Sequence, residues 1–93
     1  MHVHSLYKAP KGLLRIEADL ESGVLSKVRI TGDFFMVPED ALPQLEGQLN
    51  GIKLDRDSVL KAIDRFYSSG VETPMLGKED IVNAVLGVLN AGS

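Results

Sequence analysis

The sequence predicts an α+β domain, a three-stranded antiparallel meander covered on one face by about three helices. Three observations carry this. Leu14, Ile16, Ala18 and Leu20 alternate with Leu13, Arg15, Glu17 and Asp19, a strand period of two with one apolar side. After Gly32-Asp33-Phe34-Phe35 the period lengthens, and three apolar stripes at helical spacing follow. Strands come first and helices after, the segregated order of α+β domains.

The elements follow in order. Residues 2–8 carry the weakest strand signal. Ala9-Pro10-Lys11-Gly12, with Pro second and Gly fourth, has the preference of a type I turn and returns the chain into residues 13–20. Glu21-Ser22-Gly23 then forms a three-residue loop whose Gly takes the left-handed conformation. Pairing Leu20 with Val24 puts Val24, Val28 and Ile30 on the apolar face, with the small Ser26 between them. It also sets Glu17 opposite Lys27, and Arg15 opposite the like-charged Arg29.

Leu42, Leu45 and Leu49 predict a short helix capped by Asp40, with Pro43 in its first turn and a stop at Asn50-Gly51. Val59, Leu60, Ile63, Phe66 and Tyr67 predict a second, started by Asp55 or Asp57 and ended by Ser69-Gly70. Ile81, Val82, Val85, Leu86 and Leu89 predict a third, with Glu79 and Asp80 in its first turn favouring the helix dipole.

Ninety-three residues without a linker or repeat make one domain, residues 1–93. The absence of Cys removes disulfides, thiolate nucleophiles and Cys-type metal sites together, so packing alone must hold the core. A net charge of −3 argues against nucleic acid as a partner. No Trp, two Tyr and three Phe leave little surface for stacking on bases. No apolar run approaches the roughly 20 residues of a membrane span. Met1-His2-Val3-His4-Ser5 lacks the pattern of a signal peptide, so a soluble, cytoplasmic chain is expected, with no membrane partner.

The sequence carries no catalytic constellation. It has no phosphate-binding glycine loop, no dinucleotide fingerprint and no Gly-x-Ser-x-Gly elbow. His2 and His4 share one side of a strand, but two ligands do not close a metal site, and they read as a polar N-terminus. Asp55 and Asp57 read as a helix start, not an acid–base pair. Lys53 to Lys61 reads as solvated helix charge.

Two segments stand out as candidate contacts. Two adjacent Phe cannot both face one side of an extended strand, so in Gly32-Asp33-Phe34-Phe35 one ring could point outward as an interface anchor. The competing reading is a corner in which Gly32 breaks the strand, Asp33 caps a turn and both rings bury; burial frequencies favour it. Lys8-Ala9-Pro10-Lys11-Gly12 places two lysines near an exposed turn, for phosphate, for an acidic patch or simply for solubility.

These segments also carry a resemblance. Tyr7 to Glu17 (Tyr-Lys-Ala-Pro-Lys-Gly-Leu-Leu-Arg-Ile-Glu) resembles the opening of the C-terminal accessory domain of lipoate–protein ligases. Ser22 to Phe35 resembles that domain's central strand and its Gly-Asp-Phe-Phe corner, and Leu45 to Gly51 its first helix. The chain therefore looks like the stand-alone small subunit of a two-chain, archaeal-type ligase. The resemblance implies a fold similar to the iron–sulfur scaffold and sulfur-acceptor proteins, without their Cys chemistry.

It further implies an accessory, non-catalytic subunit needed when lipoate and ATP form lipoyl-AMP, before transfer to a lysine of a lipoyl domain. No activity and no cofactor are expected of this chain alone. ATP, Mg and lipoate are expected on a larger catalytic partner, in a heterodimer, with lipoyl-domain proteins as indirect partners. As partner- or nucleotide-loop-facing residues it points to Lys8, Lys11, Gly12, Gly32, Asp33, Phe34 and Phe35. The alternative is a free-standing small-molecule-binding or regulatory α+β module, which a ligand would stabilise without any partner. A divergent metal or sulfur scaffold is the third reading, and the missing Cys speaks against it.

Overall fold

Strands β1 (His2–Ala9), β2 (Gly12–Glu21) and β3 (Val24–Asp33) form one antiparallel sheet in the order β1-β2-β3. The computed structural model that shows this describes residues 1–10, 12–74 and 76–88. Val3, Ser5 and Ala9 of β1 point inward with Leu14, Ile16 and Ala18 of β2, as the period of two requires. His2, His4, Leu6 and Lys8 face outward beside Leu13, Arg15 and Glu17.

The β2–β3 register differs from the expected one. Glu21 pairs with Val24 and Leu20 with Leu25, so the connection is the two-residue turn Ser22-Gly23. Both turn residues have positive φ, 52° and 79°, the signature of a type I′ hairpin, whose twist suits the flanking strands. Leu25 is buried and Val24 exposed, the reverse of the expectation. A bulge between Glu17 and Asp19, with Lys27 at φ 51°, then adds one residue to β3 and returns Val28 and Ile30 to the inner face. Beyond the bulge Glu17 faces Arg29 and Arg15 faces Thr31, which removes the Arg–Arg clash.

The helices are α1 (Leu42–Leu49), α2 (Arg56–Ser68) and α3 (Lys78–Leu86). α1 packs on β3, α3 on β1 and β2, and α2 against both other helices. Phe66 and Ile63 of α2, Leu45 and Leu49 of α1, and Ile81 and Val82 of α3 join the strand residues in one core. Leu89 lies outside the described residues.

Asp40 does not cap α1. It sits inside a 3₁₀ turn, Glu39–Ala41, that leads into the helix, and Ala41 at the cap position already has helical backbone. Pro43 lies in the first turn, and Gly51, at φ 84°, takes the left-handed position after the last one. For α2 the cap is Asp55, whose carboxylate accepts from Ser58 N–H at 2.8 Å. That bond holds the Asp55 carboxyl below its ordinary value. Asp80 does more than favour the α3 dipole. One carboxylate oxygen accepts from Gly77 N–H at 2.9 Å and the other from the Tyr7 hydroxyl at 3.0 Å, tying α3 to β1.

One device holds α1 against the sheet. Glu46 and Asn50, one turn apart, turn their side-chain oxygens to the outer edge of β3 and accept from Ile30 N–H and Val28 N–H, both at 2.8 Å. Residues 51–54 continue the edge with backbone bonds to Gly23 and Leu25. The edge strand is thus closed over these residues, as a stable sheet needs.

Candidate partner-binding surface

The turn between β1 and β2 and the end of β3 lie at the same end of the sheet, because Ala9 pairs with Gly12 and Leu13 with Asp33. Lys8, Gly12, Asp33, Phe34 and Phe35 meet there in a cleft of about 340 Å³, completed by Ala9, Pro10 and Leu13. Five of the seven sequence-predicted contact residues therefore share one surface. Gly32 lines a neighbouring cleft with Phe34 and Phe35, and Lys11 lies outside the described residues.

The two Phe rings part company. Phe34 is half-buried against the core, whereas Phe35 is 68 % exposed, the most exposed large hydrophobic residue described. A corner that buries both rings is not what forms. From Ile30 to Val37 the chain keeps its period of two, with Ile30, Phe34 and Met36 inward and Phe35 and Val37 outward. Val37 is then fixed by a reciprocal backbone pair with Glu72, both bonds 2.8 Å long. Burying Phe35 would require turning Met36 out of the core.

Two glycines allow the strand end to sit this close to the β1–β2 turn. Gly32 has φ 148°, and a Cβ there would fall 2.0 Å from the Leu13 carbonyl oxygen. At Gly12 a Cβ would stand 3.3 Å from the Asp33 carbonyl oxygen and 3.7 Å from Phe34 Cβ. Asp33 does not cap a turn but remains in the ladder opposite Leu13.

The second cleft, about 450 Å³, is lined by Ile30, Phe34, Met36, Leu42, Val37 and Glu39 besides Gly32 and Phe35. Sequence reasoning missed it. The signal was present in Met36-Val37-Pro38, an apolar run directly after the exposed Phe, but only the register shows which members face out.

Chemically, the described residues of this surface offer an exposed aromatic, apolar clefts, a lysine and an aspartate. His2 lies apart from it, with Nδ1 3.3 Å from Asp19 Oδ1. Among the described residues no three His, Asp or Glu side chains gather as metal ligands. No described helix is long and apolar enough to cross a membrane.

The chain is 38 % identical over 87 residues to lipoate-protein ligase A subunit 2 of Thermoplasma acidophilum, covering 89 % of this chain and 90 % of that protein. It also superposes, with a TM-score of 0.84 and 38 % identity, on a chain from the structural analysis of an archaeal lipoylation system from the same organism. That system is a bi-partite lipoate protein ligase and its E2 lipoyl domain, and the match covers 91 % of this chain and 94 % of the other. Residues 2–85 match the family described as bacterial lipoate protein ligase C-terminus, and the chain belongs to that family.

Proposed function

We propose that this chain is the non-catalytic, accessory subunit of a two-chain, ATP-dependent lipoate–protein ligase, working in the cytoplasm. The observation that carries the proposal is the end-to-end likeness, in sequence and fold, to a protein named as the second subunit of such a ligase. The site supports it by what it contains: an exposed aromatic beside a lysine, on a segment fixed by the buried Met36 and the backbone pair of Val37 with Glu72. The resemblance of Tyr7 to Glu17 and of Ser22 to Phe35 adds the expected contact surface.

ATP, Mg and lipoate belong on the larger subunit in this proposal. There the lipoate carboxylate attacks the α-phosphate of ATP and releases pyrophosphate. The lipoyl group of lipoyl-AMP then passes to a lysine amine of a lipoyl domain, with AMP as the leaving group. Two physical problems attend the first step. The carboxylate and the triphosphate repel one another, and the mixed anhydride hydrolyses if water reaches it. A docked second chain that orders the nucleotide loop and excludes water eases both, and needs no reacting group of its own. Phe35 suits such docking, because burying an exposed Phe contributes about 1.5–3 kcal/mol.

The test is lipoate-dependent ATP–pyrophosphate exchange after co-expression with a candidate catalytic subunit. Exchange is expected only when both chains are present. Phe35→Ala and Lys8→Glu are each expected to lower it by about tenfold, as interface anchors do, while leaving the melting temperature of this chain unchanged. If both variants fold normally and sustain full exchange, the surface is not the docking site.

A further inference from the structure

Phe35 stands between two clefts whose rims differ in charge. Lys8 and Asp33, one charge of each sign, border the smaller one. Glu39 borders the larger, next to the exposed Asp40, and the 3₁₀ turn that carries both has no basic residue. Among the described residues no cation lies within ion-pair distance of Glu39 or Asp40. The larger cleft is open, with an apolar floor of Ile30, Phe34, Met36 and Leu42.

Phe35 and Val37, 68 % and 52 % exposed, project from the same side of one extended segment. The segment is already ordered, because Met36 is buried and Val37 is paired with Glu72 on both its N–H and its C=O. A partner meeting this ridge orders little that was loose before, which favours binding.

We propose that the larger cleft receives one apolar side chain of the catalytic subunit, and that a basic residue beside that side chain meets Glu39 and Asp40. The occupant is thus a surface segment with an apolar anchor flanked by a cation. This rests on the reading that a catalytic subunit is the partner, and deepens it by assigning the chemistry of the partner's segment.

The experiment measures the dissociation constant between this chain and the purified catalytic subunit, at low and at high salt. Glu39→Lys/Asp40→Lys is expected to weaken binding about tenfold at low salt, and by much less at high salt, where exposed charges are screened. Val37→Asp, which sets a charge at the cleft mouth, is expected to weaken it about tenfold or more at both. Val37→Thr keeps shape and backbone pairing, and a loss of a few-fold there supports the same conclusion if the Asp variant does not fold. Glu21→Lys, at the opposite end of the sheet, is the charge control and should bind as the unaltered chain does. If Phe35→Ala weakens the complex while the Val37 and Glu39/Asp40 variants bind normally, the cleft assignment is overturned and the accessory reading stands. If the unaltered chain forms no complex, the accessory reading falls and takes this one with it.

Discussion

Gly32 and Lys27 both hold left-handed backbone in β3, for opposite reasons. At Gly32 the missing Cβ is what lets β2 and β3 close up, since the Leu13 carbonyl oxygen occupies its place. Gly32→Ala is therefore expected to lower the unfolding free energy by about 3 kcal/mol, as overpacking against a fixed backbone does. Urea denaturation reads the change, and a loss below about 1 kcal/mol would mean that the strand end yields easily. Lys27 has a Cβ where glycine would be cheaper. Its side chain is largely exposed and reaches Asp19 only at 3.8 Å, a contact of little worth. Lys27→Gly should relieve the left-handed cost and lose part of that gain to chain entropy, for a net rise of about 0.5 kcal/mol. The two positions were not equally legible. A glycine at the strand end announces a backbone exception, whereas a lysine inside an alternating run announces none. That is why the bulge, and with it the inward turn of Leu25, escaped the alternation of Val24 to Ile30.

At the scale of elements, α1 shows why a helix is more than its apolar stripe. Leu45 and Leu49 are buried, as their spacing implies, but Glu46 and Asn50 fix where the helix sits by accepting from two N–H groups on the edge of β3. Glu46→Ala is expected to cost about 1–3 kcal/mol, the penalty for leaving the partly buried Ile30 N–H without an acceptor. Glu46→Gln keeps an acceptor and should cost less. Amide exchange at Ile30 is the direct measurement, and unchanged protection in Glu46→Ala would disprove the role. An opened edge also predicts concentration-dependent association, visible by light scattering. The three helices, the three strands and the stops at Gly51 and Gly70 could be read from periodicity and turn residues. The edge contacts could not, because a polar residue on an amphipathic helix looks solvated until its partner strand is known. Phe35 divides in the same way. Its presence was evident, yet its outward aim depends on the register that carries Met36 into the core.

Across the whole molecule, both edge strands are fastened by helices that follow the sheet in the chain. α1 holds β3, and α3 holds β1 through the Ser5 hydroxyl, which donates to the Ala84 carbonyl at 2.6 Å, and through Tyr7 and Asp80. α2 joins the two helices and is tied in by Lys78 with Asp64 and by Tyr67 with Thr73. Two groups at this junction take up protons more readily in the folded chain. Burial pushes the Tyr67 hydroxyl above the ordinary 10.0, against the opposing effects of Thr73 and Lys78. The hydrogen bond to Asp64 pushes the Lys78 ammonium above 10.5. For both, the folded chain binds protons that the unfolded chain has released, so stability is held below pH 10 and falls as pH rises through the folded values. Asp55 acts at the other end. Its folded value lies below 3.8, so its contribution is present above that pH and is lost as acid protonates it. Urea midpoints against pH should therefore give a plateau with an alkaline and an acid fall. Tyr67→Phe should lower the plateau, by removing the bond to Thr73, and make the alkaline fall shallower. The phenolate absorbance of the folded unaltered chain, less that of Tyr67→Phe, should show a single tyrosine step above pH 10. An alkaline limb identical in the two proteins would show that Tyr67 titrates as in the unfolded chain, and that Lys78 alone carries the effect.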